Sequence, residues 1–258
     1  MNLQKCYLTN NDCYKTGKTI KPKGVMVHST GANNPTLKRY VQPNDGKLGD
    51  NRNKNDWNRS GLNVCVHAFI GKLADGSVAT YQTLPWDCRG WHSGSGSKGS
   101  ANNTHISFEI CEDGLADKQY FNAVYKEAVE LTAYLCKQYK LDPLADGVVI
   151  CHSEGYKRGI ASNHADVMHW FPKHGKSMDT FRKDVAKLVG FVPSPTPDPY
   201  KVRVTLNPLN IRKGPSASTT LVGLIRDKGV YTIVETQNGW GKLKSGAGWI
   251  NLYYTKKI

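Results

Sequence analysis

The 258-residue sequence predicts an α/β domain, a mixed central β-sheet flanked by helices, followed by a small all-β barrel. Three observations carry this. Short valine-rich runs alternate with stretches of helical periodicity over the first 190 residues. Phe191 to Pro199, FVPSPTPDP, sets four prolines in nine residues, which neither a helix nor a sheet ladder continues, so it reads as an extended linker. The rest holds only short β-rich runs separated by Gly, Asn and Pro turns. The boundaries read this way are a first domain at 1–190, a linker at 191–199 and a tail domain at 200–258.

Each element has its own signal. Gly24 to His28 (GVMVH) is a buried strand ending at His28. The polar, asparagine-rich stretch Asn33 to Arg59 reads as a long surface loop, and loops of that length are often functional. Leu62 to Ile70 (LNVCVHAFI) is a second strand stopped by Gly71, and the turn Ala74-Asp75-Gly76 leads into a third, Ser77 to Leu84. His105 to Cys111 is a fourth and Val148 to Cys151 a fifth. Between these two, Phe121, Val124, Ala128, Leu131 and Leu135 recur at spacings of three and four behind Asp117, an amphipathic helix with its start signal. A shorter helix runs from Met178 to Val189 with Phe181, Val185 and Leu188 on one face. In the tail, KVRVT, GVYTIVET, WGKLKS and GWINLYY read as strands.

A composition of 39% hydrophobic and 22% charged residues excludes wholesale disorder. Apolar runs of four or five residues, such as Val148 to Cys151, are too short to span a bilayer, so membrane insertion is not expected. The N-terminal MNLQKCYLTNNDCYK lacks the apolar core of a secretory signal, and the expectation is a protein held in the cytoplasm until something releases it. The net charge of +14 favours an anionic partner: nucleic acid, a membrane surface or an acidic wall polymer. No recognition motif supports nucleic acid. Residues 200–258 carry 10 basic and 2 acidic residues, against 25 and 18 in residues 1–190, so positive charge is concentrated in the tail. The seven cysteines, an odd number, read as reduced thiols.

The chemistry gathers around histidines. His28 and His152 each stand where an apolar strand gives way to a polar turn, the edge at which an α/β sheet binds ligands. Past His152 comes Ser162-Asn163-His164-Ala165-Asp166. Two imidazoles and a carboxylate suit Zn²⁺, although the separation of His152 from Asp166 needs a loop that returns to the metal, so spacing alone does not establish a site. Glu109 alternates with apolar neighbours in HISFEIC and by pattern faces solvent. His67, in NVCVHAFI, has the setting of a buried core histidine, and His92, in GWHSG beside Trp91, that of a loop residue. His105, His169 and His174 read as surface or supporting residues. Cys151 beside His152 raises a cysteine hydrolase, but sequence neighbours on a strand point to opposite faces.

Five segments sharpen this reading: VMVHST, NVCVHAFIGKLADGSVATYQ, GWHSG, SFEIC and CHSEGYKRGIASNHADVMHW. Taken in order they resemble the zinc-dependent N-acetylmuramoyl-L-alanine amidases of the type-2 amidase and peptidoglycan-recognition superfamily, in its clostridial and phage endolysin branch, over nearly all of residues 20–190. The resemblance implies a Zn²⁺ enzyme that cleaves the amide between N-acetylmuramic acid and L-alanine in peptidoglycan. It implies His28, His152 and Asp166 as metal ligands, Glu109 as the catalytic glutamate and His164 as the catalytic residue where many relatives carry lysine. It makes His67, Trp91 and His92 substrate-binding residues of the groove. In the tail, Leu209 to Pro215, Asn238-Gly239-Trp240 and Gly248-Trp249-Ile250 resemble a bacterial SH3-like domain, a module that anchors wall enzymes, and its net +8 suits anionic wall polymers. The rival expectations are a peptidoglycan-binding protein that has lost catalysis and a cysteine-dependent wall hydrolase.

Overall fold

In the first unit, six strands form one sheet among the described residues: β1 (Leu3–Lys5), β2 (Gly24–Ser29), β3 (Ala68–Lys72), β4 (Val78–Gln82), β5 (His105–Ile110) and β6 (Val149–Cys151), in the order β1-β4-β3-β5-β2-β6. Four α-helices accompany them: α1 (Asp12–Lys15), α2 (Lys118–Tyr139), α3 (His152–Lys157) and α4 (Met178–Val189). This computed structural model describes residues 1–42, 44–190, 199–237 and 239–258. It divides into two compact units, Met1–Phe191 and Val192–Ile258. The proline linker expected at 191–199 lies outside the described residues except for Pro199.

The sheet is mixed. β3 and β4 form an antiparallel hairpin, while β5 pairs in parallel with both β3 and β2, and β2 with β6. Side-chain alternation then divides it into two faces. Val25 and Val27 of β2, Ile106, Phe108 and Ile110 of β5, and Val149 and Cys151 of β6 enter one apolar core with Phe121, Val124 and Leu131 of α2 and Phe181 and Val185 of α4. The intervening residues face the other way. There Phe69 and Cys111 join Leu37, Tyr40 and Leu48, and Met26 joins Ile150, Ala101 and Ala161. The second face is thus covered mostly by loops, with the short helices α1 and α3 among them, which leaves room for a cavity.

The two helices begin where the sequence signals them. Asp117 caps α2 by accepting from the backbone N–H groups of Gln119 and Tyr120, and Ser177 caps α4 reciprocally with Thr180. Two strand expectations differ from the structure. Only Ala68 and beyond form β3; Leu62 to His67 run as an irregular connection, exposed at Asn63 and buried from Cys65 on, with Cys65 bridging Trp91 and Asn11 donating to the Val64 carbonyl at 3.1 Å. The apolar run signals burial, and loop partners satisfy the backbone that a ladder would otherwise hold. β1 went unread because three residues, LQK, carry no period. The asparagine-rich loop is also less superficial than expected, since Leu37, Tyr40, Val41 and Leu48 are buried.

The second unit is all-β. Its strands are β7 (Tyr200–Val204), β8 (Leu209–Arg212), β9 (Leu221–Ile225), β10 (Val230–Gln237), β11 (Trp240–Leu243), β12 (Trp249–Asn251) and β13 (Thr255–Lys257). They form an antiparallel sheet ordered β13-β7-β10-β11-β12-β8-β9 around Val202, Val204, Ile211, Ile233, Leu243 and Ile250.

Phe121 is fully buried between the sheet and the aromatic rings of Trp170 and Phe171. Phe121→Ala is expected to lower the stability of the first unit by ~3–5 kcal/mol, read from urea unfolding.

Candidate metal centre

Register brings the chemistry together. His28 lies directly opposite Glu109 in the parallel β2/β5 pair, so both project from the loop-covered face. His152 opens α3 at the end of β6, the other neighbour of β2. Three parallel strands therefore deliver their C-terminal ends to one point, the position at which open α/β sheets bind ligands. Asp166 returns to it from the segment after α3, where its backbone carbonyl accepts from the Ser153 N–H at 3.4 Å.

The donor atoms converge closely. His28 Nδ1 stands 3.0 Å from Asp166 Oδ2 and 3.1 Å from His152 Nδ1, and His152 Nδ1 is 3.6 Å from Asp166 Oδ1. One ligand atom from each residue lies within 4.8 Å of the others. Burial pushes the His28 imidazole toward its neutral form, against the pull of Asp166. Burial alone would raise the pKa of Asp166, yet hydrogen bonds with His152 and His28 hold it well below the usual carboxylate range. A carboxylate and the two Nδ1 atoms at this distance repel unless a proton or a cation lies among them. Two imidazoles and a carboxylate fit a tetrahedral divalent metal that keeps one position open.

The far side of each ring is also held. His28 Nε2 meets His92 Nδ1 at 3.1 Å, and His152 Nε2 meets Ser162 Oγ at 3.3 Å. Such contacts fix both rings with their Nδ1 atoms turned toward Asp166. Asn102, fully buried, accepts from the backbone N–H of His92 and of Ser93 and so fixes the loop that carries His92. Gly94 lets Ser162 come close: a Cβ there would stand 2.9 Å from Ser162 Oγ. Neither Asn102 nor Ser162 was singled out from the sequence, because a lone polar residue in a loop carries no periodic or spacing signal.

A cavity of about 550 Å³ opens beside these groups, lined among others by Glu109, His164, Trp91 and Trp57. Glu109 faces it rather than bulk solvent. Its Oε2 is buried without a partner, and burial, Asp166 and Glu112 together push its carboxyl well above the ordinary value. His164 is exposed, 3.1 Å from Ser162 Oγ, with its ring 4.5 Å from that of His152. Trp91 is exposed at the rim beneath the Arg89 guanidinium, 5.3 Å from the ring centre. His169 also lines the cavity and donates from Nε2 to buried Glu112 at 2.8 Å.

The structure corrects the expectation for His67. It is fully buried, does not line the cavity, and spends both ring nitrogens on the protein: Nε2 donates to the Cys88 carbonyl at 2.7 Å and Nδ1 accepts from the Ser107 N–H at 3.0 Å. The resemblance put this residue in the groove; its setting in an apolar run, that of a core histidine, matches where it lies. His105 and His174 likewise bond backbone carbonyls, of Gly147 and Leu115. Cys151 belongs to the core on the opposite face, and burial raises its thiol pKa, so it has neither the access nor the thiolate of a nucleophile. All seven cysteines are free. Among the described residues, no helix is long and apolar enough to cross a membrane.

Comparison with known proteins agrees with this geometry. The family described as N-acetylmuramoyl-L-alanine amidase (Amidase_2) matches residues 18–171. The N-acetylmuramoyl-L-alanine amidase CwlH of Bacillus subtilis (strain 168) is 32% identical over 126 residues, 48% of this chain and 44% of CwlH. The chain thus spans less than half the length of that curated relative. In fold, the chain is similar to the Staphylococcus aureus hydrolase AmiA in complex with its ligand, at 18% identity and a TM-score of 0.52 over 73% of this chain and 83% of that one. It is also similar to the PlyG catalytic domain, at 23% identity and a TM-score of 0.50 over 76% and 100% of the two chains.

The bonding of His67 has a measurable consequence. Burial lowers its pKa to about 4 from an ordinary 6.5, so between these values the unfolded chain binds more protons than the folded one. Stability falls as pH drops below 6.5, and the loss from this residue is complete below 4 at about 3 kcal/mol. In urea titrations at pH 7 and pH 4.5, His67→Gln is expected to lose less stability on acidification than the wild type.

Proposed function

Because the chain belongs to the N-acetylmuramoyl-L-alanine amidase family (Amidase_2), we propose that it is a zinc-dependent peptidoglycan hydrolase that cuts the amide between N-acetylmuramic acid and L-alanine. The observation that carries this is the convergence of His28, His152 and Asp166 at the sheet edge, beside a cavity onto which Glu109 opens. These three residues would hold Zn²⁺. Bound there, it would polarise the scissile carbonyl and lower the pKa of water to ~7.

The protein's own groups supply the rest. Glu109 receives the proton of the attacking water and returns it to the leaving amine, a task suited to a carboxyl whose pKa burial and two acidic neighbours raise. His164, at the cavity wall, donates to the oxyanion that develops on the carbonyl oxygen. His92 and Ser162 hold the two ligating imidazoles in orientation. Trp91 at the rim offers a flat apolar face to the sugar or peptide. The second unit serves as an SH3-like wall-binding module. Its antiparallel strands and concentrated positive charge support that role, with peptidoglycan or anionic wall polymers as ligand. The protein acts at the bacterial wall as an endolysin does.

Mass spectrometry of muropeptides released from purified walls is expected to show free L-alanine amino termini and intact glycan. Glu109→Ala should lower turnover by ~10²–10⁴ while zinc content stays at wild type. Asp166→Ala should lose the zinc itself, measured by elemental analysis; metal-free active protein would end the assignment. His164→Ala is expected to cost ~10²–10³ in kcat.

A further inference from the structure

A second cavity, of about 670 Å³, lies in the asparagine-rich segment between β2 and β3. Its lining comes within two residues of the active-site lining at Asn55 and Trp57 and within three at Asn34 and Gly31, so the two cavities are neighbours along two stretches of chain. Lys38, Arg39 and Arg52 line it, and among the described residues none of them has a carboxylate within ion-pair distance. Asp50, the carboxylate on the wall, already accepts from Asn44 Nδ2 at 3.1 Å. Arg39 is fixed in place, donating to the Asn55 carbonyl and lying over the Tyr40 ring at 5.3 Å. Two further polar atoms are buried without partners: Asn51 Nδ2, a donor, and Asn55 Oδ1, an acceptor. Leaving such atoms unpaired is costly, and a ligand would satisfy them.

We propose that this cavity is a subsite for the carboxylate-bearing peptide arm of the substrate. It rests on the amidase reading, and it names what recognises the leaving half. An unpaired amide donor and an unpaired amide acceptor on one cavity wall complement the C=O and N–H of a peptide group, and the three cations complement a carboxylate. A phosphate polymer would use the cations and leave the acceptor of Asn55 unpaired. Asn51 therefore bonds a peptide carbonyl, Asn55 a peptide N–H, and Lys38 and Arg52 close on the carboxylate.

The test uses the full zinc-loaded chain and two muramoyl peptides that differ only in whether the peptide carboxylates are free or amidated. The wild type is expected to favour the free acid in kcat/KM by about tenfold, the scale of one charge-assisted hydrogen bond, with the difference in KM. In Lys38→Gln/Arg52→Gln the ratio should fall to near one, and Asn51→Ser should raise KM for both peptides. Both cationic side chains reach solvent, and circular dichroism checks that the variants are folded. A wild-type ratio near one, or a ratio unchanged in the double variant, overturns the subsite and leaves the amidase standing. Cleavage of neither peptide overturns the amidase reading itself. Competition by short poly(glycerol phosphate) that disappears in the double variant would reassign the cavity to phosphate and overturn the peptide assignment.

Discussion

Two buried imidazoles and a half-buried carboxylate, with ligand atoms all within 4.8 Å of one another, form the constraint around which this domain is arranged. Lone pairs at about 3 Å are tolerable only when something positive is shared between them. The fold does not relieve the crowding by turning a ring away. It reinforces it, since His92 holds the back of His28 and Ser162 the back of His152. A cluster so held suits a metal ion, because its side chains would lose little freedom on binding one.

The same burial separates two carboxyl groups by task. Asp166 lies against both imidazoles, 3.0 Å from His28 Nδ1 and 3.6 Å from His152 Nδ1, and its pKa is driven down. Glu109 has a buried oxygen without a partner and two acidic neighbours, and its pKa is driven up. One is held in its charged form; the other is pushed toward its protonated form. Environment rather than residue type makes the distinction, and it follows from position on the sheet. Glu109 sits inside β5 facing the cavity, whereas Asp166 sits on a loop free to reach both imidazoles.

The loop-covered face is what makes a cavity possible. α2 and α4 seal the opposite face with Phe121, Val124 and Phe181, and the strands spend their apolar residues there. On the second face the covering is mostly irregular chain, stitched by side chains such as Asn11 and Asn102, which bond backbone groups that no ladder satisfies. Irregular cover leaves gaps, and both cavities lie in it.

The fold class, both long helices, four of the six strands of the first sheet and the change to an all-β tail were legible in the sequence, because burial on a periodic backbone writes period and breakers into it. The resemblance of five short segments further pointed to the residues that the structure gathers at the sheet edge. Other features were not legible. The irregular connection at Leu62 to His67 looks like a strand, as apolar content records burial and not hydrogen-bond partners. His67, which the resemblance alone puts in the groove, is fully buried and does not line the cavity, with both nitrogens spent on the protein. Asn102 and Ser162 left no signal at all. Sequence alone determined which side chains alternate toward each face and where the strands end. Only the tertiary structure decided which of those ends meet and which nitrogen faces which, since these depend on strand order and loop return between residues up to 138 positions apart.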